Sequence, residues 1–217
     1  LNLGCPSNTV VTKCKGSGFL SETYQLEKFL NEIFEKSIGK ISVKTRIGRY
    51  EEEEFEELLR IFNQYPIETL IVHPRIQQDY YKNPIRIHIF LEAVEKSKNP
   101  LCYNGDIYTR EDYQRLIEKC PTIESVMLGR GALANPSLFQ EIQGGELISM
   151  DNFWAFHDEL YEEYQQEIGN NALYKMKELW IYMGNLFKDV DKIKKKIKKA
   201  QKKEDYQRWV QELKYFK

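Results

Sequence analysis

Long apolar runs are missing from this sequence. None approaches the roughly 18 to 20 residues that a membrane-spanning helix needs, and no basic-then-apolar leader is recognised. The expectation is a cytoplasmic protein with no membrane partner. Paired cysteines are missing too. Cys5, Cys14, Cys102 and Cys120 form no C-x-x-C pair and show no metal-ligand spacing, so no metal site is expected. A disulfide framework does not suit a chain of this size, and a reducing compartment is the simplest reading. Fixed-period repeats are absent, and the one compositionally biased stretch is rich in lysine. What remains is an ordinary globular composition, 41% hydrophobic and 30% charged, over 217 residues. That is enough for one large domain, or for a medium one and a small one.

A net charge of −1 conceals an asymmetry, because residues 188–217 hold 12 Lys and Arg against 5 Asp and Glu. A basic tail on an acidic body suits a polyanionic partner, although a solvated helix face would carry the same charge. The rest of the chain alternates short apolar runs with helical patterns. Each run ends in polar or glycine residues: Leu1–Pro6, Ile41–Arg46, Leu70–Arg75, Leu101–Asp106 and Val126–Gly131. Helices are expected over Glu22–Lys36 with Ser21 as a cap, Glu51–Gln64, Pro84–Lys96, Arg110–Lys119 capped by Thr109, and Ala132–Ile142. Ser7–Leu20 reads as a loop. Strand ends that alternate with helices and present chemistry on one rim predict a (β/α) barrel, whose active site lies at the strands' carboxyl face.

The pair Gly144-Gly145 is the clearest linker signal. Residues 1–146 are therefore expected to form a partial barrel and residues 147–217 a small helical domain. Three antiparallel helices are predicted there: one capped by Asp151 and running to Ile168, a second over Ala172–Phe187, and a third over Val190–Tyr215.

Chemistry is expected at the strand ends. A free thiol is mostly protonated at neutral pH and can donate a proton; Cys5, in Gly-Cys-Pro at the rim, could be such an acid, a nucleophile or a small buried hydrophobe. Lys44 and Arg46 alternate along one strand, and His73 and Arg75 repeat the arrangement on the next. A cation in such a mouth is unfavourable unless an anionic or electron-rich ligand meets it. Asn104-Gly105-Asp106 and Gly129-Arg130-Gly131 end the last two strands, where barrels of this kind bind phosphate through backbone amides. Asn-Gly is also a common turn, and Asp106 could cap one.

Together these segments resemble the tRNA-dihydrouridine synthases. Asn2-Leu3-Gly4-Cys5-Pro6, with Val10 or Val11 downstream, is similar to that family's catalytic loop. Val43–Gly48, Val72–Arg75, Tyr103–Ile107 and Met127–Ala132 resemble its later strand ends, and Lys175–Trp180 its helical-domain signature. The resemblance implies the C-terminal part of a (β/α)8 TIM barrel and FMN-dependent reduction of uridine to 5,6-dihydrouridine in tRNA, with NADPH as electron donor. It makes Cys5 the acid that protonates C5. It makes Lys44, His73, Asn104, Gly105, Asp106, Gly129 and Arg130 contacts to FMN, and Asn2 and Arg75 contacts to the substrate. Residues 147–217 become the tRNA-binding domain, and the full-length protein a monomer.

In that family, further strand–helix units precede the cysteine motif, and Pro74 stands where Gly is commoner. The chain is thus expected to be one piece of such an enzyme, binding FMN poorly and showing little activity alone. Two other readings fit the residues. One is another FMN-dependent barrel oxidoreductase acting on a small pyrimidine-like substrate. The other is a non-catalytic RNA-binding remnant that rests on Val190–Lys217.

Overall fold

A computed structural model describes residues 1–215. Five strands, β1 (Asn2–Leu3), β2 (Val43–Gly48), β3 (Leu70–Ile76), β4 (Leu101–Tyr103) and β5 (Ser125–Val126), form one sheet in chain order. Every neighbouring pair is parallel. The register aligns Leu3, Thr45, Val72, Tyr103 and Val126 in one row across the sheet. Because all strands point the same way, the residues just beyond this row lie on one rim. That rim carries Gly4, Cys5, Arg46, His73, Asn104 and Met127.

Parallel strands need crossover connections, and helices supply them. After the short α1 (Asn8–Val11) come α2 (Thr23–Lys36), α3 (Glu54–Phe62), α4 (Ile87–Lys96) and α5 (Arg110–Lys119). Helix α3 opens with Glu54, Glu56 and Glu57, as the helix dipole favours. The Glu54 carboxylate also accepts from the amides of Arg49, Tyr50 and Glu51 at 2.9, 2.6 and 2.8 Å. Phe55, Leu58, Leu59, Ile61 and Phe62 bury its inner face. In α5, Thr109 Oγ1 accepts from the Asp112 amide at 3.2 Å, the expected cap.

Two local expectations do not hold here. The hydroxyl of Ser21 does not cap α2 but donates to Gly18 O at 3.4 Å. The stretch read as a loop contains α1 and a 3-10 turn over Gly16–Phe19, because Cys14 and Gly16 turn the chain through positive φ.

Beyond β5 every described element is a helix: α6 (Arg130–Ala134), α7 (Leu138–Ile142), α8 (Met150–Ile168), α9 (Ala172–Met183), α10 (Asp191–Lys199) and α11 (Lys203–Lys214). Chain contacts divide the protein into two compact units, Leu1–Asp106 with Arg115–Leu128, and Ile107–Gln114 with the residues from Gly129 onward. The division falls before Gly129 rather than at the glycine pair. Helix α6 packs against α9. The buried Glu141 accepts from Asn135 Nδ2 at 2.8 Å and from the Ile148 amide at 2.9 Å, so it spans the supposed linker.

Helix α8 is capped by Ser149, whose Oγ accepts from the Asn152 amide at 3.1 Å; Asp151 sits inside the first turn. The expected third helix is two helices. The chain breaks at Ala200, which is extended at φ −55° and ψ 131°, and its carbonyl accepts from Lys177 Nζ at 2.6 Å. The break lets Ile193 and Ile197 from α10, and Tyr206, Val210 and Leu213 from α11, enter one core with Phe153, Met176 and Trp180.

Inside that core sits a polar chain. The Tyr206 hydroxyl accepts from Trp180 Nε1 at 2.7 Å. Its own proton then goes to His157 Nε2 at 2.8 Å, and His157 Nδ1 donates to Asp158 Oδ1 at 2.9 Å. Each buried group is satisfied only while His157 stays neutral. Burial holds the His157 pKa below its ordinary value, with Asp158 opposing.

Two outcomes follow, and tryptophan fluorescence can read both, since Trp154, Trp180 and Trp209 all lie in the second unit. Tyr206→Phe strands two buried polar nitrogens and lowers that unit's unfolding free energy by about 2 kcal/mol. Because the folded His157 binds its proton less readily than the unfolded, stability is full above about pH 6.5 and falls as pH drops below it, by at most about 1.4 kcal/mol per pH unit. His157→Gln flattens that slope.

Candidate active site

The first unit holds most of the expected residues, at the rim or one register row before it. Asn2 and Lys44 are register partners on β1 and β2, and Arg46 and His73 are partners on β2 and β3. Period-2 alternation puts Lys44 and Arg46 on one face of β2. Asn2 Oδ1 accepts from the Gly4 amide at 3.1 Å, which turns the chain into the Cys5 loop. Cys5 is half-buried and free of disulfides.

Lys44 is a partly buried cation. Burial first, then the neighbouring Arg46, lower its pKa. Among the described residues no carboxylate pairs with it, and its ammonium makes no hydrogen bond.

Arg46 is 1% exposed. Its guanidinium donates to three backbone carbonyls, Gly4 O at 3.1 Å, Ile76 O at 2.8 Å and Tyr80 O at 2.7 Å, and lies 5.2 Å from the centre of the Tyr81 ring. One side chain thereby joins the loop after β1 to the loop after β3. Composition marks Arg46 only as a second cation on β2. Its service to two distant loops is visible only in the fold.

His73 is buried, and its Nδ1 lies 2.6 Å from Asn104 O. A carbonyl can only accept, so Nδ1 carries the proton and Nε2 is the accepting nitrogen of the neutral ring. Arg75 Nη1 stands 3.5 Å from that nitrogen. Burial, then the charge of Arg46, and further Lys44 and Arg75, push the His73 pKa down to about 3, against the opposing bond to Asn104. At neutral pH this histidine is uncharged and is no acid.

Arg75 and Asp106, expected on substrate and phosphate, are engaged with each other. Arg75 is 2% exposed and forms a bidentate pair, Nη1 to Oδ1 at 3.0 Å and Nη2 to Oδ2 at 2.5 Å, while its Nε donates to Asn83 O at 2.6 Å. Asn104 Nδ2 donates to Met127 O at 2.8 Å, joining the ends of β4 and β5. The absent side chain of Gly105 makes room for Tyr103, whose hydroxyl would lie 2.1 Å from a Cβ at that position.

A second carboxylate carries no mark in the sequence pattern. Buried Asp79 accepts from the Ile76 amide at 3.0 Å, from Asn83 Nδ2 at 2.5 Å and from Arg86. Burial would raise its pKa, but these bonds and the Arg86 charge outweigh it and hold the carboxyl below its usual range. The result is a folded β3 loop in which Gln77 Nε2 also reaches Pro6 O at 3.2 Å.

Gly129 and Arg130 belong to the second unit. Nothing lies within 4 Å of the place a Gly129 Cβ would take. The Arg130 guanidinium lies 5.6 Å from the centre of the Tyr108 ring, and a Cβ on Gly131 would meet Ile107 O at 2.0 Å. Among the described residues no cluster of His, Cys, Asp or Glu is placed to hold a metal, and no helix is long and apolar enough to cross a membrane.

Comparison with known proteins gives concordant results. A protein of Pseudomonas syringae pv. tomato named tRNA-dihydrouridine(16) synthase is 30% identical over 162 residues, covering 71% of this chain and 50% of that protein. A probable tRNA-dihydrouridine synthase of Helicobacter pylori is 31% identical over 144 residues, 65% of this chain and 43% of its own. Another from Staphylococcus aureus strain Mu50 is 29% identical over 177 residues, 77% and 52% of the two chains. The chain thus spans about half the length of the curated relatives it matches. The family model described as dihydrouridine synthase matches residues 1–216, and the chain belongs to that family.

Proposed function

We propose that the protein reduces uridine in tRNA to 5,6-dihydrouridine, with FMN as cofactor and NADPH as electron donor, and that the first unit is the C-terminal part of a (β/α)8 barrel. The observation that carries this reading is that parallel β1, β2 and β3 place the Cys5 loop, Lys44 and His73 side by side, with the Lys44 charge acting on His73. The residues fit a flavin. Lys44 is a half-buried cation with no protein partner among the described residues, a state favoured only when an electron-rich group meets it. His73 is held neutral with its proton committed. Gly129 leaves its side-chain volume open to a phosphate.

Lys44 and His73 are assigned to the flavin, with Asn104 and Gly105 beside them; taken by itself, the Gly129-Arg130 segment has the chemistry to meet a phosphate. Asp106 and Arg75 act on each other. The carboxylate would repel a phosphate, but it fixes the guanidinium that faces His73 Nε2. When bound, FMN supplies the hydride that goes to uracil C6.

The chain's own part is positional and acid–base. Uracil in a stacked helix offers neither face of its double bond, so the base must be extruded to reach the rim. Cys5 then donates its proton to C5, and Asn2, which shapes the turn before it, is assigned to the uracil edge.

Residues 147–217 are assigned to tRNA. Lys192, Lys195, Lys196, Lys198 and Lys199 are exposed on α10, while Ile193 and Ile197 are buried. Lys196 Nζ lies 3.8 Å and Arg208 Cζ 4.4 Å from the centre of the Trp209 ring, which concentrates positive charge around an aromatic surface. Such a face binds phosphates without reading sequence. We take the enzyme to work as a cytoplasmic monomer, a reading its free cysteines suit.

Two measurements test this reading. In the protein expressed from its native gene, Cys5→Ala lowers turnover on unmodified tRNA about 100-fold or more, whereas Cys120→Ala does not. Replacing Lys195, Lys196 and Lys199 together by Gln weakens tRNA binding and lowers the slope of log K against log salt by about 2. An unchanged slope removes α10 from the interface.

A further inference from the structure

The cysteine is gripped by its own backbone. Its carbonyl oxygen accepts two hydrogen bonds from one residue, the Ser17 amide at 3.1 Å and Ser17 Oγ at 2.8 Å. Ser17 is 0% exposed, although the segment around it is polar. The amide alone would satisfy that carbonyl, so the buried hydroxyl adds direction rather than solvation. Gly16 has φ +54°, and a Cβ there would lie 2.7 Å from Cys5 O and 3.0 Å from Cys5 Cβ. No side chain fits between the turn and the cysteine.

The preceding carbonyl is held as well, since Gly4 O accepts from Arg46 Nε. The two carbonyls thus anchor the peptide groups on either side of the Cys5 Cα from different segments: strand β2 holds one, and the Gly16–Phe19 turn the other. With both peptide planes fixed, the φ and ψ of Cys5 are fixed, and so is the direction of its Cα–Cβ bond.

We propose that Ser17 is a positioning residue for the Cys5 thiol. Its hydroxyl and amide hold the cysteine's carbonyl so that the sulfur stays aimed at the substrate side of the rim. The proposal rests on the reading of Cys5 as proton donor. Ser17 touches neither substrate nor cofactor, and it acts through the backbone of Cys5.

The test separates aim from folding. In a Cys14→Ser background, which removes the exposed thiol, alkylation of Cys5 by iodoacetamide is followed by peptide mass spectrometry at constant pH. Ser17→Ala loosens the grip, and Cys5 is expected to react about threefold faster or more. In the protein expressed from its native gene, the same variant lowers kcat about tenfold or more while KM for tRNA stays within about twofold. Gly16→Ala keeps the hydroxyl but displaces the carbonyl it holds, and is expected to move both readouts in the same directions.

A measurement on the parent needs no variant: the Ser17 amide exchanges with deuterium about a hundredfold more slowly than in an unstructured peptide. Unchanged alkylation of Ser17→Ala, with or without a fall in kcat, overturns the proposal, as does a freely exchanging Ser17 amide. A Cys5→Ala protein with parental turnover would instead remove the proton-donor reading, and it leaves the alkylation result untouched.

Discussion

The rim of this protein depends on one buried guanidinium. Isolated charges are strongly disfavoured away from water, yet Arg46 is almost wholly enclosed. Three carbonyl dipoles and an aromatic face compensate it. The dependence is mutual. Gly4 lies more than seventy residues before Ile76 and Tyr80 in sequence, and their carbonyls meet because Arg46 offers donors at fixed angles. Without it the loop bearing Cys5 and the loop after β3 would lose the group that joins them, and three carbonyls would lose a partner.

Charge around that hub is arranged rather than balanced. Lys44, Arg46 and Arg75 surround His73, and together with burial they keep its imidazole neutral. The carboxylates nearby are committed to structure: Asp106 holds Arg75, and Asp79 folds the β3 loop with Arg86. A neutral ring and a half-buried ammonium on a positively biased rim suit an electron-rich ring system and a phosphate-bearing ligand. Cys5, the proposed proton donor, sits on a loop held by Ser17 and Arg46, so Arg46 both positions that loop and adds to the charge around His73.

Much of this was legible in the residues. Parallel strands that end in polar or glycine residues announce a functional rim, and the helix Arg110–Lys119 is found as read. The rest depended on contacts that no local pattern encodes. Arg46 reads as one more cation, because its partners are main-chain oxygens, which leave no trace in side-chain identity. Ser17 reads as loop filler, because its partner lies twelve residues away. Arg75 and Asp106 each read as ligand contacts, and only the fold shows that they pair with each other.

The break between α10 and α11 has a visible trace in the sequence. The apolar stripe Val190, Ile193, Ile197, Ala200 would continue in one helix at positions 204, 207 and 211, and those are Glu204, Gln207 and Gln211. The phase slips to Tyr206 and Val210, and the chain breaks where it slips.

The central claim is that a rim organised by Arg46 reduces uridine in tRNA. It is tested most directly by mapping dihydrouridine, by mass spectrometry, in tRNA from cells that lack the gene and then carry it restored. The account predicts that dihydrouridine is lost from at least one tRNA position on deletion and regained with the parent gene. It predicts no recovery with an Arg46→Gln version expressed at equal level. Intact dihydrouridine after deletion, or full recovery with Arg46→Gln, would contradict it.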